Sequence, residues 1–368
     1  GASQNMKLLS ILVLSLSTMT AQNWIAYVGT YTQGFARGIY SLRYDPKTGD
    51  LTPLAVVPSV SPSFLAVSPN RRVLVAVNES RRYNGILNSG SVSSFSIDPV
   101  SGDLAPVNVV PSRGADPAHL SFDRTGKWLF VANYGGGSIA VFPVAEDGTL
   151  SDAVHIVEHQ GASNTNPVRQ EAPHVHSVDI SPDNRFLYVA DLGKDEIAVY
   201  NFDASSGKLT PHTVAALKPG SGPRHIAFSR DRRYFYVVNE LTATVTTLRH
   251  DAATASLEEL QTISTLPMGY RGDKSAAEIA VDPSGRFLFA SNRFHNSIAA
   301  FSIDAEQGRL TLIGIVATQG RTPRHFAIDS EGAHLIVANQ DTDTLTVFNI
   351  DPDTGALTLA SEPMGVPR

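Results

Sequence analysis

His176, Arg224, Glu240 and Arg293 are far apart in the chain, yet one spacing relates them. Six apolar stretches end in Asn78, Asn133, Asp191, Asn239, Asn292 and Asn339. The residues fifteen places earlier are Ser63, Ala118, His176, Arg224, Ala277 and Arg324. The residues one place later are Glu79, Tyr134, Leu192, Glu240, Arg293 and Gln340, and Tyr31 occupies the matching place near the N-terminus. If the stretches are equivalent elements around one axis, these two series become two rings at one mouth. An imidazole and a carboxylate there can move protons. Guanidiniums beside them can hold a carboxylate, a phosphate or a developing oxyanion through paired hydrogen bonds.

A second periodicity shows that the elements are equivalent. The segment Asp-x-x-x-Gly-x-Leu, or a close variant, recurs at Asp45 to Leu51, Asp98 to Leu104, Asp203 to Leu209, Asp251 to Leu257, Asp304 to Leu310 and Asp351 to Leu357, with a shortened copy ending at Gly148 and Leu150. A period of about 50 residues is a propeller signature. Each copy follows an alternating strand such as Ser138 to Phe142 or Thr344 to Phe348, so it reads as the turn between the last two strands of a blade. The sequence therefore predicts an all-β, seven-bladed β-propeller with four antiparallel strands per blade. Ile25 to Tyr31 matches a second strand with no first strand before it, and Gly365 to Arg368 resembles the start of a first strand. This predicts a ring closed by pairing of the N- and C-terminal strands, which removes open edges.

Loop lengths point to the same mouth. From the turn Leu to the first ring the chain runs 12 to 15 residues in four blades, but 26 before His176 and 20 before Ala277. The long loops carry Asn166-Pro167-Val168-Arg169-Gln170 and Gly269-Tyr270-Arg271-Gly272-Asp273-Lys274, polar and basic segments expected to close over an anionic ligand.

Plainer readings exist for several of these residues. Alternation on a strand would put His174 and His176 on one face, but no third ligand falls in register, so no metal is expected. A lone Arg–Glu pair is usually structural; here its register with His176 and Arg293 favours a site. His119, His225 and His325 share the next position and read as structural histidines bonding between blades. Arg271-Gly272-Asp273 is a tripeptide common by chance, Gly135 to Gly137 sit at a hairpin turn with no helix after them, and Asn78-Glu79-Ser80 falls on a strand end, which weakens adhesive, phosphate-loop and glycan readings.

The 368 residues are 42% hydrophobic and 17% charged, with 28 Gly and 22 Pro, which suits one large all-β domain rich in turns. A net charge of −6 without a Lys/Arg cluster excludes a nucleic-acid footprint. With no cysteine there is no disulfide, thiolate nucleophile or Cys-ligated metal. Residues 1–5 precede Met6 and read as a vector-derived remnant. Residues 6–21, with Lys7, an apolar run to Leu16 and a small polar stretch, read as a secretory signal peptide. The run is too short for stable membrane insertion. Cleavage after Ala21 would leave a propeller of residues 22–368, exported to the periplasm or secreted. Oligomeric state has no signature here.

Gly220 to His225 and Gly320 to His325 (Gly-x-x-Pro-Arg-His), with His174-Val175-His176, Asn239-Glu240 and Ser291-Asn292-Arg293, resemble the lactonase family of seven-bladed propellers. That family includes bacterial 6-phosphogluconolactonase and fungal carboxy-muconate lactonizing enzyme, and the resemblance covers residues 24 to 366. It implies hydrolysis of a small, anionic lactone without cofactor or metal. It assigns the catalytic His, two Arg and Glu to His176, Arg224, Arg293 and Glu240. His174, Tyr31, Glu79, Tyr134, Arg324, Arg169 and Gln340 surround them as candidate substrate-binding residues. Two alternatives remain at this point: cycloisomerisation of a carboxylated diene acid, and a non-catalytic exported binding propeller, which would expose apolar patches instead of a polar mouth. The best-known members are cytoplasmic, whereas this chain carries an export signature.

Overall fold

The computed structural model describes residues 7–17 and 22–366, with side chains from 24 to 366. Among these residues every regular element is a strand. They form seven antiparallel four-stranded sheets, the last with a fifth short strand, and one two-stranded ribbon. The innermost strands contact their neighbours all the way round, so the sheets close into a ring. Seven apolar clusters each bridge two adjacent blades. Because both faces of a sheet are covered, second strands such as Phe186–Asp191 and Tyr234–Asn239 are buried at every position. Outer strands such as Leu51–Pro58 are largely exposed.

The repeated Asp-x-x-x-Gly-x-Leu segment is a turn on the face opposite the mouth. At Asp98 the side-chain Oδ1 accepts from the amides of Val100 and Ser101, both at 2.8 Å, and the Gly102 amide returns to the Asp98 carbonyl at 2.9 Å. Gly102 stands at φ +78, the left-handed conformation that favours glycine.

One feature of the inner hairpins could not be read from the spacing. Pro62 pairs with Asn78, Pro117 with Asn133, Val175 with Asp191, Pro223 with Asn239, and Pro323 with Asn339, and each pairing is followed by a β-bulge. The unpaired residue is Ser63, Ala118, His176, Arg224 or Arg324. In the sixth blade the bulge takes in Ala277 and Glu278. A bulged residue leaves the ladder and is re-aimed, here into the channel. Opposite it, the amide after each Asn or Asp donates to the carbonyl two residues before the bulge, at 2.7 to 3.1 Å in all six blades. The second predicted ring is thus tied by backbone hydrogen bonds to the segment that leads into the first.

The expected closure by the C-terminus is corrected. Met364–Gly365 pairs with Thr344 and Leu345 on the outer side of the seventh blade. The inner position of the first blade is held by Lys7–Ser17, antiparallel to Gln22–Tyr31. The run is apolar, and residues 18–21 alone separate it from its partner, so this hairpin closes a much shorter loop than a pairing of the two chain ends. Met6, the expected cleavage point after Ala21, residues 1–5 and the last two residues lie outside the described residues. Tyr44 also ties the first blade to the seventh, donating to Asp329 Oδ2 at 2.6 Å.

The Asn or Asp at the end of six of the second strands is a buried anchor. Asn78 donates to Ser59 Oγ (3.0 Å) and the Val60 carbonyl (2.7 Å) and accepts from Ser91 and Ser93. Asn78→Ala strands these partners and should lower unfolding free energy by about 1–3 kcal/mol in a denaturant titration.

Candidate active site

The mouth is organised around one carboxylate. Glu240, buried, lies with Oε1 2.6 Å from Arg169 Nη2 and 3.0 Å from Arg293 Nη2, and with Oε2 3.3 Å from Arg224 Nε. Burial raises its carboxyl pKa, but Arg293, Arg169 and Arg224 outweigh that and hold it at about 2. Burial and the neighbouring Arg293 and Arg324 draw Arg224 down to about 9, so it stays cationic at neutral pH. Arg224 also donates through Nη1 to the Ala277 carbonyl at 2.6 Å, and Arg293 through Nη2 to the Ala276 carbonyl at 3.3 Å.

His176 faces this cluster from its bulge. Its ring lies edge-on to Tyr134 (centroids 5.3 Å apart) and to His225 (5.2 Å). Burial, followed by the charge of Arg224, pushes its pKa well below the usual 6.5, so the imidazole is neutral around pH 7. Its Nδ1 has no hydrogen-bond partner, and neither do Nε of Arg224, Nε of Arg293, Oε1 of Gln340 or Oγ of Ser63. Five mouth residues thus hold unused, buried hydrogen-bonding capacity, which native interiors rarely leave unpaired without a functional reason.

Four guanidiniums, those of Arg169, Arg224, Arg293 and Arg324, meet two carboxylates here, Glu240 and Glu79. Glu79 accepts from the Tyr31 hydroxyl at 2.8 Å, and Arg324 lies over the Tyr31 ring, 5.6 Å from its centre. Burial raises the Tyr31 and Tyr134 hydroxyl pKa values, so both remain neutral donors. The mouth carries excess positive charge and suits an anionic ligand.

Arg169 arrives on the long loop before the fourth blade. Asn166 Oδ1 accepts from the amides of Val168 and Arg169, and Gln170 donates to the Leu192 carbonyl (2.9 Å) and Asp195 Oδ1 (2.7 Å). This turn aims Arg169 at Glu240 and at the Tyr134 hydroxyl, 3.1 Å away.

Most of the predicted site converges. His176, Arg224, Glu240, Arg293, Arg169, Tyr134, His174, Tyr31, Glu79 and Arg324 share the mouth. Gln340 reaches its own neighbour Asp341 at 3.3 Å and does not join the arginine cluster. His174 comes to the site by a different route from the predicted strand alternation. It precedes the strand Val175–Ile180, stacks on Tyr134 at 4.6 Å, and places its ring nitrogens 3.0 Å from the Tyr134 carbonyl and from Glu171. The second long loop packs aside, with Tyr270 edge-on to His295 and Arg271 and Lys274 exposed.

Two features were missed. Glu171, the partner of His174, had no register to mark it. The ribbon Arg82–Tyr83 with Ile86–Leu87 was legible, since thirteen positions separate Asn78 from Ser91 where five separate Asn133 from Ser138. A cavity of about 650 Å³ lies near this ribbon between the first two blades. Its Asn78, Ser91, Ser93 and Asn108 groups are already hydrogen-bonded within the protein. The mouth, with its unpaired groups, is the stronger candidate site.

Fold and mouth together define a seven-bladed β-propeller whose channel entrance is arginine-rich and centred on a carboxylate. The family model described as "Lactonase, 7-bladed beta-propeller" matches residues 25–368, and the chain belongs to that family. It is 34% identical to the 6-phosphogluconolactonase of Bacillus subtilis over 304 residues, 82% of this chain and 84% of that protein. It is 35% identical to a 6-phosphogluconolactonase of Formosa agariphila over 308 residues, 82% and 85% of the two chains. The structure of the periplasmic gluconolactonase of Pseudomonas aeruginosa superposes with a TM-score of 0.87 at 36% identity, covering 94% of this chain and 96% of that one.

Gly193 faces the Arg169 loop so closely that a Cβ there would collide with the Ala172 carbonyl. Gly193→Ala should displace this loop and accelerate amide exchange across residues 163–172 while leaving the inner strands protected, as read by hydrogen–deuterium exchange.

Proposed function

We propose that this protein hydrolyses a small sugar lactone at the propeller mouth, either the anionic 6-phosphogluconolactone type or its uncharged parent gluconolactone. The observation that carries this reading is the set of three arginines converging on Glu240 beside the neutral imidazole of His176, whose Nδ1 is unpaired. The relatives named as 6-phosphogluconolactonases and as a gluconolactonase point to the same chemistry.

The roles divide by basicity. A carboxylate held near 2 by three guanidiniums is a poor proton acceptor, so Glu240 serves to gather and orient the arginines. His176, neutral at working pH, takes a proton from water as the water oxygen attacks the lactone carbonyl carbon. The carbonyl π electrons move to oxygen, and Arg224 and Arg293 stabilise that oxyanion. When the tetrahedral species collapses, the ring C–O bond breaks and the departing alkoxide takes the proton from His176. The product is a hydroxy acid, deprotonated at neutral pH. Arg324, Arg169 and Tyr31 are placed to hold the phosphate or carboxylate substituent, with Glu79, Tyr134 and His174 fixing their positions.

The test is hydrolysis of 6-phosphogluconolactone, gluconolactone and carboxylated lactones, followed by acid release. Arg224→Ala should cost about a hundredfold in kcat. Because the His176 pKa is lowered, its base form persists into acid, and the acidic limb of kcat/KM should lie below pH 6.5 and vanish in His176→Asn. Turnover of Arg224→Ala near that of the wild type would remove the oxyanion role. Inactivity on every lactone, with conversion of a carboxylated diene acid, would favour the cycloisomerase.

Export belongs to the same proposal, supported by the Lys7-to-Ala21 pattern and by the periplasmic relative. Intact mass of protein from the periplasmic fraction should correspond to a chain starting at Gln22, in which the inner position that Lys7–Ser17 holds in the uncleaved chain is vacated. A mass retaining Met6 would mean that Lys7–Ser17 stays as the inner strand of the first blade.

A further inference from the structure

Beneath the mouth lies a second layer of the channel, one residue further along each inner strand. Phe64, His119, His225 and His325 meet here, with ring centroids 4.4 to 5.8 Å apart in the contacts among them. Glu278 is the single carboxylate of this layer. Its Oε1 lies 3.1 Å from His225 Nδ1 and its Oε2 lies 2.8 Å from His325 Nε2, and the Ile279 amide donates to Oε1 at 2.8 Å. Above it, His225 Nε2 lies 3.4 Å from Arg224 Nη1.

The chemistry of this chain of contacts leaves one arrangement. Burial raises the Glu278 carboxyl pKa, but the two histidines and their hydrogen bonds more than reverse it, so the group is ionised and can only accept. Burial draws His225 to about 4 in spite of Glu278, so its ring is neutral and carries one N–H. With a carboxylate on the Nδ1 side and a guanidinium on the Nε2 side, the proton must sit on Nδ1. The Nε2 lone pair then faces Arg224, which always donates. A ring protonated at Nε2 would turn an N–H against the Arg224 Nη1 group.

We propose that Glu278 is a positioning residue for Arg224, acting through His225 by fixing its Nδ1–H tautomer so that Nε2 accepts from the guanidinium. Arg224 is thereby held by three groups, through its ion pair with Glu240 near Nε and through Nη1 by the Ala277 carbonyl and His225. The same backbone segment serves twice, since Ala277 supplies the carbonyl and the next residue supplies the carboxylate. This assignment rests on the proposed lactonase role of Arg224, but its tautomer part does not.

Two measurements separate them. Imidazole ¹H–¹⁵N correlation spectra of histidine-labelled protein should show His225 as the neutral Nδ1–H tautomer near pH 7, and Glu278→Gln should shift that signal because the amide can donate as well as accept. In turnover of 6-phosphogluconolactone, Glu278→Gln should lower kcat about 10- to 100-fold with KM changed less than threefold. His225→Phe, which keeps the ring stacking but has no nitrogens, should lose a similar factor. The double variant should be no worse than either single one, the mark of one shared path. An Nε2–H or imidazolium signal for His225 in the wild type would overturn the assignment. So would Glu278→Gln kcat within twofold of wild type, or losses that multiply in the double variant. Wild-type inactivity on all lactones together with the expected tautomer would overturn the lactonase reading while leaving the Glu278–His225–Arg224 link standing.

Discussion

The attraction between Glu240 and three arginines holds the mouth together, and both sides need it. Arg169, Arg224 and Arg293 come from the fourth-blade loop, the fifth blade and the sixth blade, and without a shared anion their charges would drive them apart in a site with little water. A lone buried carboxylate would take up a proton instead of paying the cost of desolvation. Together they stay ionised, and the carboxylate sits so low that it can act as an anchor but hardly as a base. The surplus of guanidiniums over carboxylates leaves the mouth ready for an anion.

The inner hairpins make this convergence possible. A residue in the β-ladder points either to one blade interface or to the other, where the apolar clusters leave no room for charge. The bulge frees one residue per hairpin from that choice and turns it to the channel while the strands on either side keep their register. Small residues at the same position in other blades, Ser63, Ala118 and Ala277, leave space for His176, Arg224 and Arg324. Large polar groups occupy some bulges because others stay small.

Along the axis, charge is used sparingly. The upper layer has its arginines around Glu240 and Glu79, and the layer below has aromatic and imidazole rings around Glu278. Lower still, burial and the nearby Glu278 raise the Asp179 carboxyl to about 7, opposed by Arg124. The rings between the layers exclude water, which strengthens each ion pair above them and keeps His176 and His225 uncharged. The candidate chemistry therefore depends on residues that never reach the mouth.

Local repetition made most of this legible in the sequence. Turn motifs at a near-constant period and a fifteen-residue hairpin spacing are short-range properties, and they were enough to predict seven blades, two rings and the residues His176, Arg224, Glu240 and Arg293. Tertiary structure decided what depends on competition or on partners from other blades. Lys7–Ser17 took the inner strand of the first blade because a nearby apolar segment closes a shorter loop than the C-terminus. Arg169 reached Glu240 while Arg271 and Lys274 stayed outside, although both loops were longer than the rest and carried basic segments. His174 joined the site by stacking on Tyr134, and Glu278 found its histidines across the channel. A repeat specifies where a side chain stands in its own blade; which charge it meets, and so which protonation state it holds, follows only when seven blades bring their positions to one axis.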